Sequence, residues 1–452
     1  MAADTVKSER LVSLDVFRGM TIAAMILVNN PGTSPVYAPL EHAEWNGLTP
    51  TDWIFPFFLF IVGVAIPISL GRQLEKGIDG GVYLRILSRA AMIFGLGLAI
   101  SLLPFFQFTT TNAPELLKLV TWLAFALALL FLLMRNVKVA AALAACGVAG
   151  VIVMNVAGYN VVPYNFDTMR VFGVLQRIAI CYLAASIIFL HTNWKQQVAI
   201  AIALMLSYWL LMTAIPVPGC EITTFNDKAC NLAAYIDRMV LGENHIWRGG
   251  KVYDPEGILS TLPAIATALS GILAGTWLKR NDEFRISNDE SKDESTFDIR
   301  KSSLNKVAGF FFFGTILVGL GWIWNSYFPI NKALWTSSYV VVTSGLALLV
   351  FASCYWLIDI KGYKKWAWPF VVFGVNALTL FVFSGIFARM MSSYKVIDLE
   401  GKSVSVQKWL VDHVFLAIFQ PINASLAYAV CFILFWLLLM WLLFRKRIFI
   451  RV

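Results

Sequence analysis

Apolar runs of about twenty residues, separated by short polar connectors, recur along the whole of this 452-residue chain. A run of that length is what an α-helix needs to cross the roughly 30 Å hydrocarbon layer of a bilayer. The runs are continuous rather than alternating, which excludes a transmembrane barrel. Only 14% of the residues are charged and 59% are hydrophobic, whereas a soluble domain carries about a quarter charged residues. The expected fold class is an all-α polytopic integral membrane protein with about 12 transmembrane helices. They are read near 12–30, 53–70, 86–104, 115–134, 139–158, 171–191, 197–215, 258–278, 305–324, 337–358, 368–390 and 414–444.

The basic residues set the orientation. Lys7 and Arg10 precede the first run, Arg72, Lys76, Arg85 and Arg89 flank the second connection, and Arg445, Lys446 and Arg447 follow the last run. Alternate connections are poorer, and the loop 29–52 has no Lys or Arg at all. By the positive-inside rule both termini are cytoplasmic and the odd-numbered loops face out. The net charge of +9 therefore reflects cytoplasmic anchoring, and lipid, not nucleic acid, is the expected partner. The first apolar stretch lacks a cleavage pattern and is read as a retained helix. Three parts follow: 1–278 with eight helices and outer loops 29–52 and 216–257, a charged cytoplasmic linker at 279–306, and 307–452 with the last four helices. Short termini and sparse cytoplasmic segments fit a bacterial inner membrane.

Within so apolar a chain, polar residues in or beside the spans carry the information. The run EHAEWNGLTPTDWIFP at 41–56 holds His42, one of four histidines, with Asn46 and Asp52 close by. Asp52 follows Thr-Pro and can cap the second helix while also orienting His42. Asp15 and Arg18, at i and i+3, are either a neutralising pair or an anion site with Arg18 as the donor. Gln176 and Arg177 lie inside an apolar run and need acceptors, either Asp254 and Glu256 or a ligand. Asn331, Lys332 and Trp335 precede the tenth run, Tyr339 lies within it, and Asn376 lies in the eleventh. Cys220 and Cys230 share one outer loop, where an oxidising compartment favours a disulfide and the alternative is two thiols. No cysteine and histidine spacing suits a metal, and no Gly-rich phosphate loop or nucleophile elbow is present.

Several of these runs together carry a resemblance: RLVSLDVFRG, HAEWNGLTPTDWIFPFFLFIVG, GVLQRIAICY, CNLAAYIDRMVLGENHIW, YDPEGILSTLPAIATALSGILAG and NKALWTSSYV. The sequence resembles the transmembrane acyltransferase family that includes heparan-α-glucosaminide N-acetyltransferase. The resemblance implies an acetyl-CoA-dependent amino-sugar N-acetyltransferase, with acetyl-CoA as cytosolic co-substrate, an amino-sugar acceptor and a leaning towards a homodimer. It implies that His42 is catalytic, as general base or acetyl acceptor, with Asn46 and Asp52 in support. Arg18, Arg72, Arg89, Gln176 and Arg177 are the candidates for holding the CoA moiety. Asp254, Glu256, Trp335, Tyr339 and Asn376 are the candidates for the acceptor. The chain departs from the family in an additional hairpin near 115–158 and in Ser384, where the family has a histidine. The alternative function is a transporter for N-acetylglucosamine or a related sugar, although no internal repeat is visible between the two parts.

Overall fold

A computed structural model describes residues 11–286 and 292–450, apart from the side chains at 72, 75, 76 and 280–301. The protein is an all-α polytopic membrane protein. Among the described residues, eleven helices are long and apolar enough to cross a bilayer, and a helix pair bent by 83° is either a twelfth, broken span or a re-entrant loop. In order, the crossing helices are α1 (Val12–Asn29), α2 (Ile54–Lys76), α3 (Gly80–Leu102), α4 (Glu115–Leu133), α5 (Val137–Val156), α6 (Val174–His191) and α7 (Trp194–Ala214). A short α8 (Leu232–Leu241) lies in the loop before α9 (Thr261–Ile286), α10 (Lys292–Trp324) and α11 (Ser337–Cys354). The chain closes with α12 (Trp368–Val375), α13 (Ala377–Ser393), the hairpin β1 (Lys395–Ile397) and β2 (Ser403–Ser405), α14 (Val406–Leu410) and α15 (Pro421–Arg445).

Two spans differ from the sequence expectation. The run at 368–390 is not one straight helix: α12 and α13 meet at Asn376 with an 83° bend. There the Asn376 amide turns to the C-terminal tail, donating to Ile448 O (3.1 Å) and accepting from Ile450 N (2.9 Å). The last span starts at Pro421, not 414, because a wide turn at Val411–Phe415 precedes it and Pro suits the first helical turn. The linker 279–306 falls mostly on side chains outside the described residues, and helical backbone reaches Ile286 and resumes at Lys292.

Close packing depends on small residues at helix crossings, since lipid is as apolar as any core side chain. Between α2 and α9, a Cβ on Gly63 would stand 2.0 Å from Ala268 O, and one on Gly271 would stand 2.1 Å from Phe60 O. Likewise α12 presses on α1, where a Cβ on Gly19 would meet Phe370 O at 1.8 Å. A Gly271→Val variant forces backbone apart at the centre of the bundle. It is expected to lose about 1–3 kcal/mol, read as a lower unfolding midpoint in detergent. An unchanged midpoint would mean that this crossing yields freely.

The odd-numbered connections gather on one face, which we call the outer face after the charge pattern. Gly47 N donates to Ile330 O (2.8 Å), Gln107 N to Val162 O (2.8 Å) and Val171 N to His245 O (3.3 Å). Trp45 Nε1 donates to Phe225 O (2.9 Å), and Cys220 and Cys230 are disulfide-bonded in the same loop layer. Loops joined in this way form a lid over the outer helix ends.

Candidate active site

The lid is built around one carboxylate. Thr49 and Pro50 begin the helical turn Pro50–Trp53, and Thr49 and Asp52 form a capping box. Asp52 Oδ2 accepts from Thr49 N (3.0 Å), Thr49 Oγ1 (3.0 Å) and Ala43 N (3.2 Å). That leaves Oδ1 for His42 Nδ1 at 2.7 Å. The capping and orienting tasks are thus divided between the two oxygens. Gly47, two residues before the cap, has φ +130, which an L side chain rarely tolerates. Its turn brings His42 back over the start of α2. The Asp52 side chain is 1% exposed while His42 is 50% exposed, so a buried charge holds a ring that reaches solvent.

The partner that sequence reading left without a role is Lys332. Its Nζ lies 2.9 Å from His42 Nδ1 and 3.1 Å from Nε2, and 3.7 Å from Asp52 Oδ1. Burial holds the Lys332 ammonium below the ordinary lysine value, against the opposing pull of Asp52 and Glu256. An NK pair before a span is an ordinary sequence feature. Only the fold shows that this one crosses 290 residues to the histidine.

Asn46, expected to support His42, joins the loops around it. Its Nδ2 donates to Asn226 Oδ1 (2.8 Å), and its Oδ1 accepts from Asn331 Nδ2 (3.0 Å). It ties the first loop to the two loops that flank the site. Beneath Asp52 lies an aromatic layer. Tyr339 donates its hydroxyl to Asp52 O (2.6 Å), and Trp335 sets its edge against Phe55 (4.9 Å) and Tyr339 (5.3 Å). Trp335 has φ +52, a strained conformation for a bulky residue and a feature that clusters at functional sites. Both Trp335 and Tyr339 are buried.

Arg177 stacks over Trp335 at 5.1 Å and is fully buried. Its Nη2 donates to Gly257 O (2.9 Å) and to Ser260 Oγ. Nε and Nη1 have no partner among the described residues. The acids considered as its acceptors, Asp254 and Glu256, instead take Arg170. Its Nε donates to Asp254 Oδ2 (2.9 Å), and its Nη2 to Asp254 Oδ1 (2.5 Å) and Glu256 Oε2. Asp237 is buried nearby and accepts from Ile258 N (2.8 Å); burial pushes it up to about 6.

Below the layer a cavity of about 650 Å³ runs between α1, α2, α3, α6 and the α12–α13 bend. Arg18 and Arg89 line it, with Ser69 at one end and Phe58 and Val174 at the other. Eleven residues of α2 separate Phe58 from Ser69, roughly 16 Å of helix. Arg18 donates to Asp15 Oδ1 (3.2 Å) and Gly374 O (3.4 Å), and Arg89 stacks over Tyr182 at 5.1 Å. Asn376 lines this cavity too. Gln176, Arg177 and His42 are not among the residues that line it. The side chain of Arg72 lies outside the described residues.

Comparison with known proteins bears on this arrangement. Residues 10–166, which include the His42 loop, Asp52, Arg18 and Arg89, match the family model described as heparan-alpha-glucosaminide N-acetyltransferase, catalytic. The chain is 26% identical to heparan-alpha-glucosaminide N-acetyltransferase of Mus musculus over 83% of its length, and 25% identical to that of Homo sapiens over 98%. The matches span 53% and 60% of those relatives. Arg177, Asp254 and Lys332 lie outside the matched model.

Proposed function

We propose that this protein is a membrane acetyltransferase that moves an acetyl group from cytosolic acetyl-CoA to the amine of a glucosamine-type sugar on the outer side. The observation that carries the reading is the His42–Asp52 pair at 2.7 Å, in a protein that also holds a cavity with Arg18 and Arg89 in its wall. A cationic cavity suits the CoA phosphates, and its apolar upper part suits the pantetheine arm. The similarity to N-acetyltransferases supports the same chemistry.

Asp52 is an acceptor, so His42 Nδ1 carries the proton of that hydrogen bond and Nε2 holds the free lone pair. In the direct route the sugar amine attacks the thioester carbon while Nε2 takes an N–H proton. The carbonyl π pair moves to oxygen, then returns as the C–S bond breaks. The thiolate leaves and takes the proton from the imidazolium. In the covalent route Nε2 attacks the thioester carbon and the C–S bond breaks to release the thiolate; the amine then attacks the acetyl carbon, the C–Nε2 bond breaks and the amine's proton passes to the thiolate.

The test is transfer of labelled acetyl from acetyl-CoA to glucosamine by purified protein in proteoliposomes. Labelled N-acetylglucosamine is expected. Sugar uptake without any transfer would instead establish the transporter alternative.

A further inference from the structure

Resting on that reading, we propose that Lys332 is a catalytic residue whose ammonium receives the oxyanion of the tetrahedral intermediate. Acyl transfer builds negative charge on the carbonyl oxygen, and a fixed donor at that point is among the strongest sources of rate enhancement in such reactions. The donor must stand beside the reacting nitrogen. Lys332 Nζ does so, 3.1 Å from His42 Nε2.

Asn46 donates one N–H to Asn226 Oδ1 and accepts from Asn331 Nδ2, which braces the loop against the turn bearing Lys332. The turn bearing Lys332 is held rigidly. Asn331 Oδ1 accepts from Leu334 N (2.9 Å), Asn331 N donates to Thr336 Oγ1 (3.0 Å), and Trp335 N donates to Lys332 O (3.1 Å). Nζ lies 2.9 Å from Nδ1 and 3.1 Å from Nε2, a position over the ring face that leaves the in-plane Nε2 lone pair free. An arriving carbonyl oxygen accepts from Nζ as charge begins to form on it, while Nε2 remains available to the reacting amine. The carbonyl π pair becomes the oxyanion beside Nζ, then re-forms the C=O bond as the C–S bond breaks. Lys332 keeps its proton throughout.

The charged groups facing Nζ are Asp52 at the start of α2, His42 in the first loop and Glu256 in the loop before α9. Burial favours loss of the Lys332 proton, so the ammonium is present at low pH and disappears as pH rises, below the ordinary lysine range. Activity therefore falls on the alkaline side.

The experiment is labelled acetyl transfer as a function of pH for wild type, Lys332→Met and Lys332→Arg. Lys332→Met is expected to lose about 10²–10³ in kcat with KM little changed, and its residual activity to show no alkaline fall. Lys332→Arg, which tests whether the loop folds with a cation, is expected to keep more activity and move the fall to higher pH. The proposal is overturned if Lys332→Met stays within threefold of wild type, or if the alkaline fall persists in it. Either result leaves wild-type transfer, and hence the acetyltransferase reading, intact. Absence of transfer by wild type would remove both.

Discussion

Asp52→Asn and His42→Ala are each expected to lower acetyl transfer by about 10²–10⁴, the range for a positioned general base. For alanine the reason is direct, since Nε2 is gone. For asparagine it follows from the hydrogen-bond inventory. Asp52 accepts from four donors: His42 Nδ1 on one oxygen, and Ala43 N, Thr49 N and Thr49 Oγ1 on the other. An amide has a single oxygen. If that oxygen keeps the three loop donors, the NH₂ faces Nδ1, and the ring must move its proton to Nε2, where it can no longer act as a base. If the amide flips, its NH₂ meets three donors and the first loop loses its anchor. The first case predicts a folded protein with low kcat. The second adds a loss of thermal stability. Steady-state transfer with labelled acetyl-CoA, alongside an unfolding curve in detergent, separates them. Asp52→Asn retaining more than a tenth of wild-type kcat would rule out the orienting role.

What the sequence could reveal was decided by distance along the chain. Spans were legible because bilayer thickness writes itself into run length. The His42–Asp52 pair was legible because ten residues and a capping motif join its members. Lys332 was visible as a residue but not as a partner, because its meeting with His42 depends on loops closing across most of the chain. The break at Asn376 was hidden for the same reason, as its side chain is claimed by residues 448 and 450. Arg177 and Arg170 show a different limit. Sequence reading required acceptors for a buried arginine and cations for a pair of acids. Proximity of chemistry suggested that these needs answer each other. In the fold the acids go to Arg170, seven residues earlier, and Arg177 goes to a carbonyl and a hydroxyl. Neither hydropathy nor charge pattern distinguishes two arginines so near one helix start.

That exchange of partners leads to an expected Arg170→Met phenotype: a loss of about 3–5 kcal/mol, the cost of stripping the partner from a buried charge. The Asp254 side chain has no exposure and that of Glu256 has 11%. Without the guanidinium, two carboxylates are left together in a poorly hydrated pocket, held close because Glu256 N donates to Asp254 Oδ1 (2.9 Å). The turn they form also sets the start of α9. Gly257 O accepts from Arg177 Nη2 (2.9 Å), and Ile258 N donates to Asp237 Oδ1 (2.8 Å). Repulsion at the acids therefore reaches Arg177, Trp335 and the layer beneath Asp52, so acetyl transfer should fall with stability. The double variant Arg170→Met/Asp254→Asn removes the repulsion with the cation and is expected to recover more than half of the lost unfolding midpoint. If the single and double variants are equally unstable, the guanidinium acts through its packing and its hydrogen bonds to the turn, and the charge balance at 254–256 is not what holds the start of α9.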